Sequence, residues 1–233
     1  MLMKRWRELP QWLRNDEVKK YYLILLRKQS DMRIKRMMDL VGALMLTVVL
    51  SPVMLITALL IKHDSRGPVF YRQERVTQYG KTYRIFKFRT MVTDADQKGP
   101  LVTAGADDRI TKVGKTLRKY RIDEIPQLLN IITGDMSFVG TRPEVPKYVE
   151  QYTDEMKATL LLPAGITSRT SIEFKDEDAL IEKYQKEEDL SVDEIYVQKI
   201  LPVKMKHNLK YLEHFSVAGD IKIMIQTVLA VIR

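Results

Sequence analysis

The stretch that most limits what this chain can fold into is Leu40–Ile61, 22 residues without a formal charge. As a straight helix it would be about 33 Å long, enough to cross the hydrocarbon core of a bilayer. Ser51-Pro52 falls in its middle. An interior proline removes one backbone hydrogen bond and its ring clashes with the preceding turn, so a kink is expected there. Both flanks are basic, with Arg33, Lys35 and Arg36 before the run and Lys62 and Arg66 after it. Lysine and arginine beside a membrane segment favour the cytoplasmic side. The run is therefore expected to be a re-entrant hairpin, each half dipping roughly 16 Å into the bilayer and returning. A kinked full span and a buried helix of a soluble core are the alternatives.

Charge follows that segment. Residues 1–36 carry 11 basic and 4 acidic side chains, and residues 62–147 carry 17 and 10, whereas 148–190 is net acidic. Positive charge beside an apolar run suits an anionic membrane surface or phosphate-bearing substrates. It would also suit nucleic acid, but a nucleic-acid binder leaves the apolar run unexplained, so none is expected as a partner. There is no cysteine, which removes disulfides and thiolate metal sites and fits a reducing compartment. The 233 residues have room for one domain with an appendage.

Residues 1–32 read as a basic amphipathic segment. Asn15 or Asp16 can cap a helix in which Val18, Tyr21, Tyr22, Leu25 and Leu26 recur at helical spacing. Trp6, Trp12, Tyr21 and Tyr22 are side chains found at headgroup level, so the segment is expected on the membrane surface or as an ordinary surface helix. Its first 15 residues are too charged for the apolar core of a cleavable signal peptide.

Past the apolar run, Gly67-Pro68 and Gly80 mark turns around a short strand at Val69–Tyr71. Tyr83–Met91 has strand composition. Alternation would place Lys87 and Arg89 on one face, about 7 Å apart, where they could grip a diphosphate or simply meet solvent. Thr93–Ile110, with Asp94, Asp96, Asp107 and Asp108, reads as solvated loops, and Lys112–Tyr120 as a basic helix. Glu150–Asp189 reads as an acidic, partly helical surface, and the Glu173–Asp178 run as solvated. A helix is expected over 193–213, with His207 a surface or packing residue. Asp220 is expected to cap a last helix that is apolar nearly all round and meets both protein and lipid interface.

The chemical centre is Lys115–Glu144. Asp123 and Glu124 are adjacent and follow the basic residues Arg118, Lys119 and Arg121. With Pro126 in the first turn, Asp123 is a candidate N-cap of a helix through Gln127–Ile132 that Gly134 ends. Helix N-termini favour anions, phosphates included. Adjacent helical residues point roughly 100° apart, so one carboxylate could hold a metal while the other attacks or takes a proton. An acidic cap with a solvated neighbour is the plainer possibility.

Several pieces then coincide: the basic-flanked apolar run with its Ser-Pro, YRQERV (71–76), YRIFKFRTM (83–91), the long block DDRITKVGKTLRKYRIDEIPQLLNIITGDMSFVGTRPE (107–144), LPAGIT (162–167) and DIKIMIQTV (220–228). From about Arg33 to the end the chain closely resembles the bacterial monotopic phosphoglycosyl transferases, also called the bacterial sugar transferase family. That resemblance implies Mg²⁺-dependent transfer of a phosphosugar from a UDP-sugar to a polyprenol (undecaprenyl) phosphate, with release of UMP. It implies a setting on the cytoplasmic face of the bacterial inner membrane, among anionic lipid headgroups. It makes Asp123 the nucleophile that forms a covalent phosphosugar intermediate, and Glu124 a Mg²⁺ ligand beside it. Arg142 fits a phosphate contact, because a guanidinium binds two phosphate oxygens at once. Lys87, Arg89, Arg118 and Arg121 are further candidates for the same anionic pocket. Thr77, Thr141 and Ser168-Arg169 depart from the family's usual residues, and the first and last of these bear on sugar and nucleoside contacts. The alternatives are a non-catalytic membrane-associated scaffold that binds a nucleotide sugar, and a one-step transferase. The expected fold is α+β and helix-rich: an N-terminal segment (1–32), a re-entrant membrane hairpin (33–62) and a cytoplasmic catalytic domain with short strands and a C-terminal interfacial helix (63–233).

Overall fold

The computed structural model describes residues 3–95, 107–174 and 177–232 of the chain. Asp96, Gly99-Pro100 and Gly105 lie outside the described residues, as do the side chains of Asp178, Val231 and Ile232.

Helix α1 (Asp16–Leu26) is capped by Asn15, whose side chain accepts from the Val18 amide at 2.8 Å. Of the two cap candidates, Asn15 is the one used. Val18, Tyr21, Tyr22 and Leu25 are buried together with Leu161, Leu162, Leu212 and Phe215. The apolar face of α1 is thus spent on the protein's own core, and the Tyr21 hydroxyl donates to Glu155 at 2.7 Å.

The apolar run lies in α2 (Gln29–Asp64), 36 residues that stay helical through Ser51-Pro52. Proline 52 has no amide to offer the Val48 carbonyl. The Ser51 hydroxyl donates to that carbonyl instead, at 2.8 Å. This satisfies the group that a proline orphans, a requirement wherever water is scarce. Helix α2 is long and apolar enough to cross a membrane, and only 11% of its most apolar window is buried. A helix of a soluble core would be mostly buried, so that alternative does not fit. Val48, Val49, Leu55, Ile56 and Leu59 are exposed. On the opposite side Ala43 packs with Leu128, Ile131 and Met136, and Ile61 with Phe88 and Leu117. The parts of α2 before and after Pro52 therefore rest on one body.

Polar ties fix both ends of α2. Lys35 Nζ donates to Asp220 Oδ2 at 2.5 Å and to the Val139 carbonyl at 2.8 Å. Arg36 donates to the Ile131 and Ile132 carbonyls, and Asp39 accepts from the Phe138 amide. At the far end Asp64 accepts from the Val113 amide, and Arg89 donates to the Ser65 and Arg66 carbonyls.

The strands are short. Antiparallel pairs join β1 (Phe70–Tyr71) to β4 (Lys87–Phe88) and β2 (Glu74–Val76) to β3 (Thr82–Arg84). The expected single strand Tyr83–Met91 is thus divided. Its Phe86 amide donates to Asn130 Oδ1 at 2.8 Å rather than to a ladder, and the chain changes partner there. The parallel pair β5 (Met136–Val139) and β6 (Ala164–Thr167) runs through the core. These two strands' ends approach so closely that a Cβ on Gly165 would lie 2.1 Å from the Gly140 amide nitrogen.

Helix α3 (Lys112–Lys119) matches the expected basic helix and is capped by Thr111. A 3₁₀ helix (Ile122–Gln127) leads into α4 (Leu128–Thr133), which Gly134 ends at φ 89°. Helix α5 (Pro146–Val149) precedes the acidic region, and α6 (Arg169–Glu173) and α7 (Glu177–Glu187) lie within it. Helices α8 (Val192–Ile195) and α9 (Leu201–Glu213) are joined by a π-helical turn, and His207 pairs with Glu173 at 2.8 Å. The start of α10 (Val217–Ile232) is closed by Ser216, which accepts from the Gly219 amide. Asp220 is not the cap. It sits inside the first turn, where Lys35 and Tyr211 hold its carboxylate.

Candidate active site

Arg121 adopts φ 56° and ψ 21°, the left-handed region, and so turns the chain between α3 and the 3₁₀ helix. Asp123 and Glu124 follow in the first 3₁₀ turn, at 7% and 8% exposure. Asp123 is therefore not the N-cap expected from Pro126. The proline lies within the 3₁₀ helix, and the cap position belongs to Arg121 without a side-chain bond.

Glu124 is the hub. Its Oε1 receives Arg142 Nη2 at 2.7 Å and Lys87 Nζ at 2.9 Å, with Arg121 Nη1 at 4.0 Å. Lys87 comes from β4, which packs on the 3₁₀ helix, and Arg142 from the turn after β5. Burial alone would raise the Glu124 carboxyl. The charges of Arg142 and Lys87 overcome it and hold the group well below the usual carboxylate range. Asp123 has the opposite fate. Burial, then the charge of Glu124, pushes its carboxyl up, against the pull of Lys87, Arg118 and Arg121. Its Oδ1 is buried without a hydrogen-bond partner.

A cavity of about 260 Å³ opens beside Glu124. Glu124, Arg121, Arg142 and Lys119 line its charged end, and Leu46, Leu50, Ile125 and Phe138 its apolar side. Asp123 is not among its lining residues. Arg89, expected beside Lys87, is turned instead to the carbonyls that end α2. The split of the expected strand explains why these two cations do not form a joint grip. Arg118 lies close enough to lower the Asp123 carboxyl. Lys119, from the same basic run but not a candidate for the anionic pocket on sequence grounds, lines the charged end as well.

The family departures have structural work. The Thr77 hydroxyl donates to the Asp135 carbonyl and accepts from the Ala164 amide, tying the loop after β2 to both core strands. Ser168 caps α6 by accepting from the Ser171 amide at 2.9 Å.

The sequence model for bacterial sugar transferases matches residues 30–233. The chain belongs to the bacterial sugar transferase family. Over 198 residues it is 34% identical to the UDP-N-acetylgalactosamine-undecaprenyl-phosphate N-acetylgalactosaminephosphotransferase of Aeromonas hydrophila, covering 84% of this chain and 43% of that protein. It is also 34% identical over 199 residues to the UDP-glucose:undecaprenyl-phosphate glucose-1-phosphate transferase of Escherichia coli (strain K12), covering 84% and 39%. A Caulobacter vibrioides protein of that same description is 43% identical over 123 residues, covering 53% and 46%. The chain thus spans less than half the length of these three relatives.

Mg²⁺, which the family implies, can be tested against this bacterial sugar transferase's own donors. Among the described residues no group of three or more histidine or acidic side chains is placed to hold a metal. Mg²⁺ ordinarily takes one or two carboxylates and completes its shell with water and substrate phosphates. The unpartnered Asp123 Oδ1 and the adjacent, ionised Glu124 supply hard oxygen donors of that kind. The donor set fits an ion shared with a diphosphate.

Proposed function

We propose that this bacterial sugar transferase moves a phosphosugar from a UDP-sugar to a polyprenyl phosphate at the cytoplasmic face of the inner membrane. An Asp123 carboxylate oxygen attacks the β-phosphorus of the UDP-sugar. The bond from that phosphorus to the bridging oxygen breaks, and UMP leaves with the electron pair. The aspartyl-phosphosugar is then attacked at the same phosphorus by a phosphate oxygen of the polyprenyl phosphate, which frees the carboxylate. A carboxylate nucleophile divides one difficult displacement into two easier ones. Arg142, Lys87 and Arg121 supply positive charge where phosphate oxygens gather. Glu124, held ionised by them, and Asp123 would hold Mg²⁺, which when bound neutralises charge on the departing UMP.

The observation that carries this reading is the unequal pair: one acid locked in a cationic cluster, its neighbour buried with a free oxygen. The relatives' names support the substrate class. Both halves of α2 packing on one body and the basic flanks support a re-entrant rather than a spanning helix.

The test uses purified chain in lipid nanodiscs with Mg²⁺. With UDP-sugar and no acceptor, mass spectrometry should find a phosphosugar adduct on Asp123. With polyprenyl phosphate present, UMP should be released, and Asp123→Asn should abolish both signals. An Asp123→Asn protein of near-normal turnover would remove Asp123 from the nucleophile's role.

A further inference from the structure

Beyond Arg142 the protein buries a second set of charges that the chemistry proposed above does not use. Glu144 follows Arg142 by two positions, and its Oε1 accepts from the Tyr196 hydroxyl at 2.5 Å and from Lys204 Nζ at 3.3 Å. Lys204 Nζ also donates to the Tyr196 oxygen at 2.7 Å and pairs with Glu177 Oε2 at 3.1 Å. Lys204, Glu144 and Tyr196 are 5%, 6% and 2% exposed. The set draws on three elements: Glu177 opens α7, Tyr196 opens the π-helical turn, and Lys204 lies in the first turn of α9. Single π turns are rare and gather at functional sites.

The backbone on both sides of Arg142 is fixed. The Thr141 carbonyl accepts from the Gly165 amide at 2.9 Å, the Pro143 carbonyl from Arg75 at 3.0 Å and the Glu144 carbonyl from the Val76 amide at 2.9 Å. The direction of the Arg142 side chain is then left to charge. Glu124 raises the guanidinium above its ordinary value, and Glu177 and Glu144 add to that against the effect of burial. Three acids therefore act on one guanidinium, and Glu124 holds it, at 2.7 Å. Glu144 has the Tyr196 hydroxyl and the charge of Arg75 besides Lys204. For Glu177, Lys204 is the one ion-pair partner among the described residues.

We propose that Lys204 is a positioning residue for the phosphate site: by neutralising Glu177 it leaves Arg142 to Glu124 and to the diphosphate of an incoming nucleotide. A buried carboxylate stripped of its cation is strongly destabilising. With Lys204 uncharged, Glu177 recovers a partner by drawing Arg142 toward itself, and the phosphate site loses its fork of donors. The inference rests on the reading of the Arg142 cluster as a site for substrate phosphate.

The test is the affinity for UDP, measured by calorimetry on the full chain in nanodiscs with Mg²⁺, in two double variants that remove the same charges. Lys204→Gln with Glu144→Gln leaves Glu177 without its lysine. UDP should then bind about 10- to 100-fold more weakly, the worth of one charged donor. Lys204→Gln with Glu177→Gln also removes the competing acid, and should keep most of the native affinity. Both double variants break the buried network and should melt lower than the native chain, so stability does not foretell the difference between them. Equal losses of UDP affinity, losses that follow the melting temperatures, or native affinity in both would make the network a brace for the fold and overturn the proposal. Should either double variant fail to fold, Lys204→Gln and Lys204→Arg make the comparison. Only the arginine, which keeps the charge, should then bind UDP as the native chain does, and equal affinities overturn the proposal. UMP release from UDP-sugar and polyprenyl phosphate is followed in parallel, where the first double variant should raise KM for the UDP-sugar more than it lowers kcat. If the native chain releases no UMP, the reaction reading fails, while the UDP affinities still decide the role of Lys204. A native chain that binds no UDP overturns both.

Discussion

Replacing Pro52 with alanine sets two forces in α2 against each other. A proline inside a helix costs about 3 kcal/mol relative to alanine, so Pro52→Ala pulls toward a straight, spanning helix by that amount. The ends resist. For the first half to leave the protein body, the Lys35–Asp220 pair must break, and its side chains are 4% and 5% exposed. Separating a buried pair of this kind costs about 3–5 kcal/mol. Arg36 would also lose its bonds to the Ile131 and Ile132 carbonyls, each about 1.5–3 kcal/mol for a charged donor. The ties at the first end alone come to about 6 kcal/mol or more, so they outweigh the proline. Both ends of α2 should stay on one side of the membrane in Pro52→Ala. Because the chain has no cysteine, Arg33→Cys and Lys62→Cys are clean probes at exposed positions on either flank. In sealed vesicles a membrane-impermeant maleimide should label both from the same side, in the native background and with Pro52→Ala. Labelling of the two from opposite sides in Pro52→Ala would refute the estimate that buried ionic ties exceed one helix kink. Opposite sides in the native background would defeat the re-entrant reading itself.

Ser51→Ala should destabilise the protein in nanodiscs by about 1–3 kcal/mol, because it orphans the Val48 carbonyl, and should cost almost nothing beside Pro52→Ala. Equal costs in the two backgrounds would show that the hydroxyl is not the carbonyl's substitute partner. Arg142→Lys keeps the charge but not the planar fork, so kcat/KM for the UDP-sugar should fall about 10- to 100-fold while the melting temperature stays within a few degrees. A fall confined to the melting temperature would make Arg142 purely structural. Glu144 is buried against Tyr196 and Lys204 at 2.5 and 3.3 Å. Burial pushes its carboxyl up, but Lys204 and the Tyr196 hydrogen bond bring it below the usual range. An acid with a depressed folded-state pKa binds fewer protons folded than unfolded, so its contribution is present above the unfolded value and lost as pH falls. The stability gap between native protein and Glu144→Gln should therefore narrow as pH falls through and below the ordinary glutamate range. A gap that widens on acidification would contradict the sign.

How much could be read in advance depended on the range of the contact. The Asn15 cap, the basic helix α3 and the Gly134 stop all follow from neighbours in sequence, and the structure has each of them, whereas the apolar run expected to break at Ser51-Pro52 is one continuous helix. The same local logic makes Asp123 and Asp220 caps, and neither holds that role in the structure. Each carboxylate is held in a buried setting made by distant segments. For Asp220 the distant partner is Lys35, 185 positions away. Strand alternation likewise failed at Phe86, whose amide is claimed by Asn130, 44 residues on. For residues 1–32 the aromatic rings leave two placements open, at the membrane surface or as an ordinary surface helix. In the structure that aromatic face meets Leu161, Leu212 and Phe215, an apolar partner no window of the sequence could display.

The same range effect explains why adjacency alone could not divide the work between Asp123 and Glu124. Both acids share one basic neighbourhood in sequence. The division comes from Lys87, 37 residues before Glu124, and Arg142, 18 residues after it, which both converge on a single Glu124 oxygen. Two cations on one carboxylate leave it ionised and restrained, poorly suited to leave its place and attack a phosphorus atom. Asp123 has no such ties on Oδ1. An attacking oxygen must be free of strong donors at the moment it forms a bond, and must not be so acidic that its electron pair is inert. Burial raises the Asp123 carboxyl against the pull of Lys87 and Arg121, and under the proposed mechanism those two cations would steady the charge on the phosphate oxygens. The protein therefore treats the two acids oppositely, and the nucleophile's role proposed for Asp123 rests on that asymmetry.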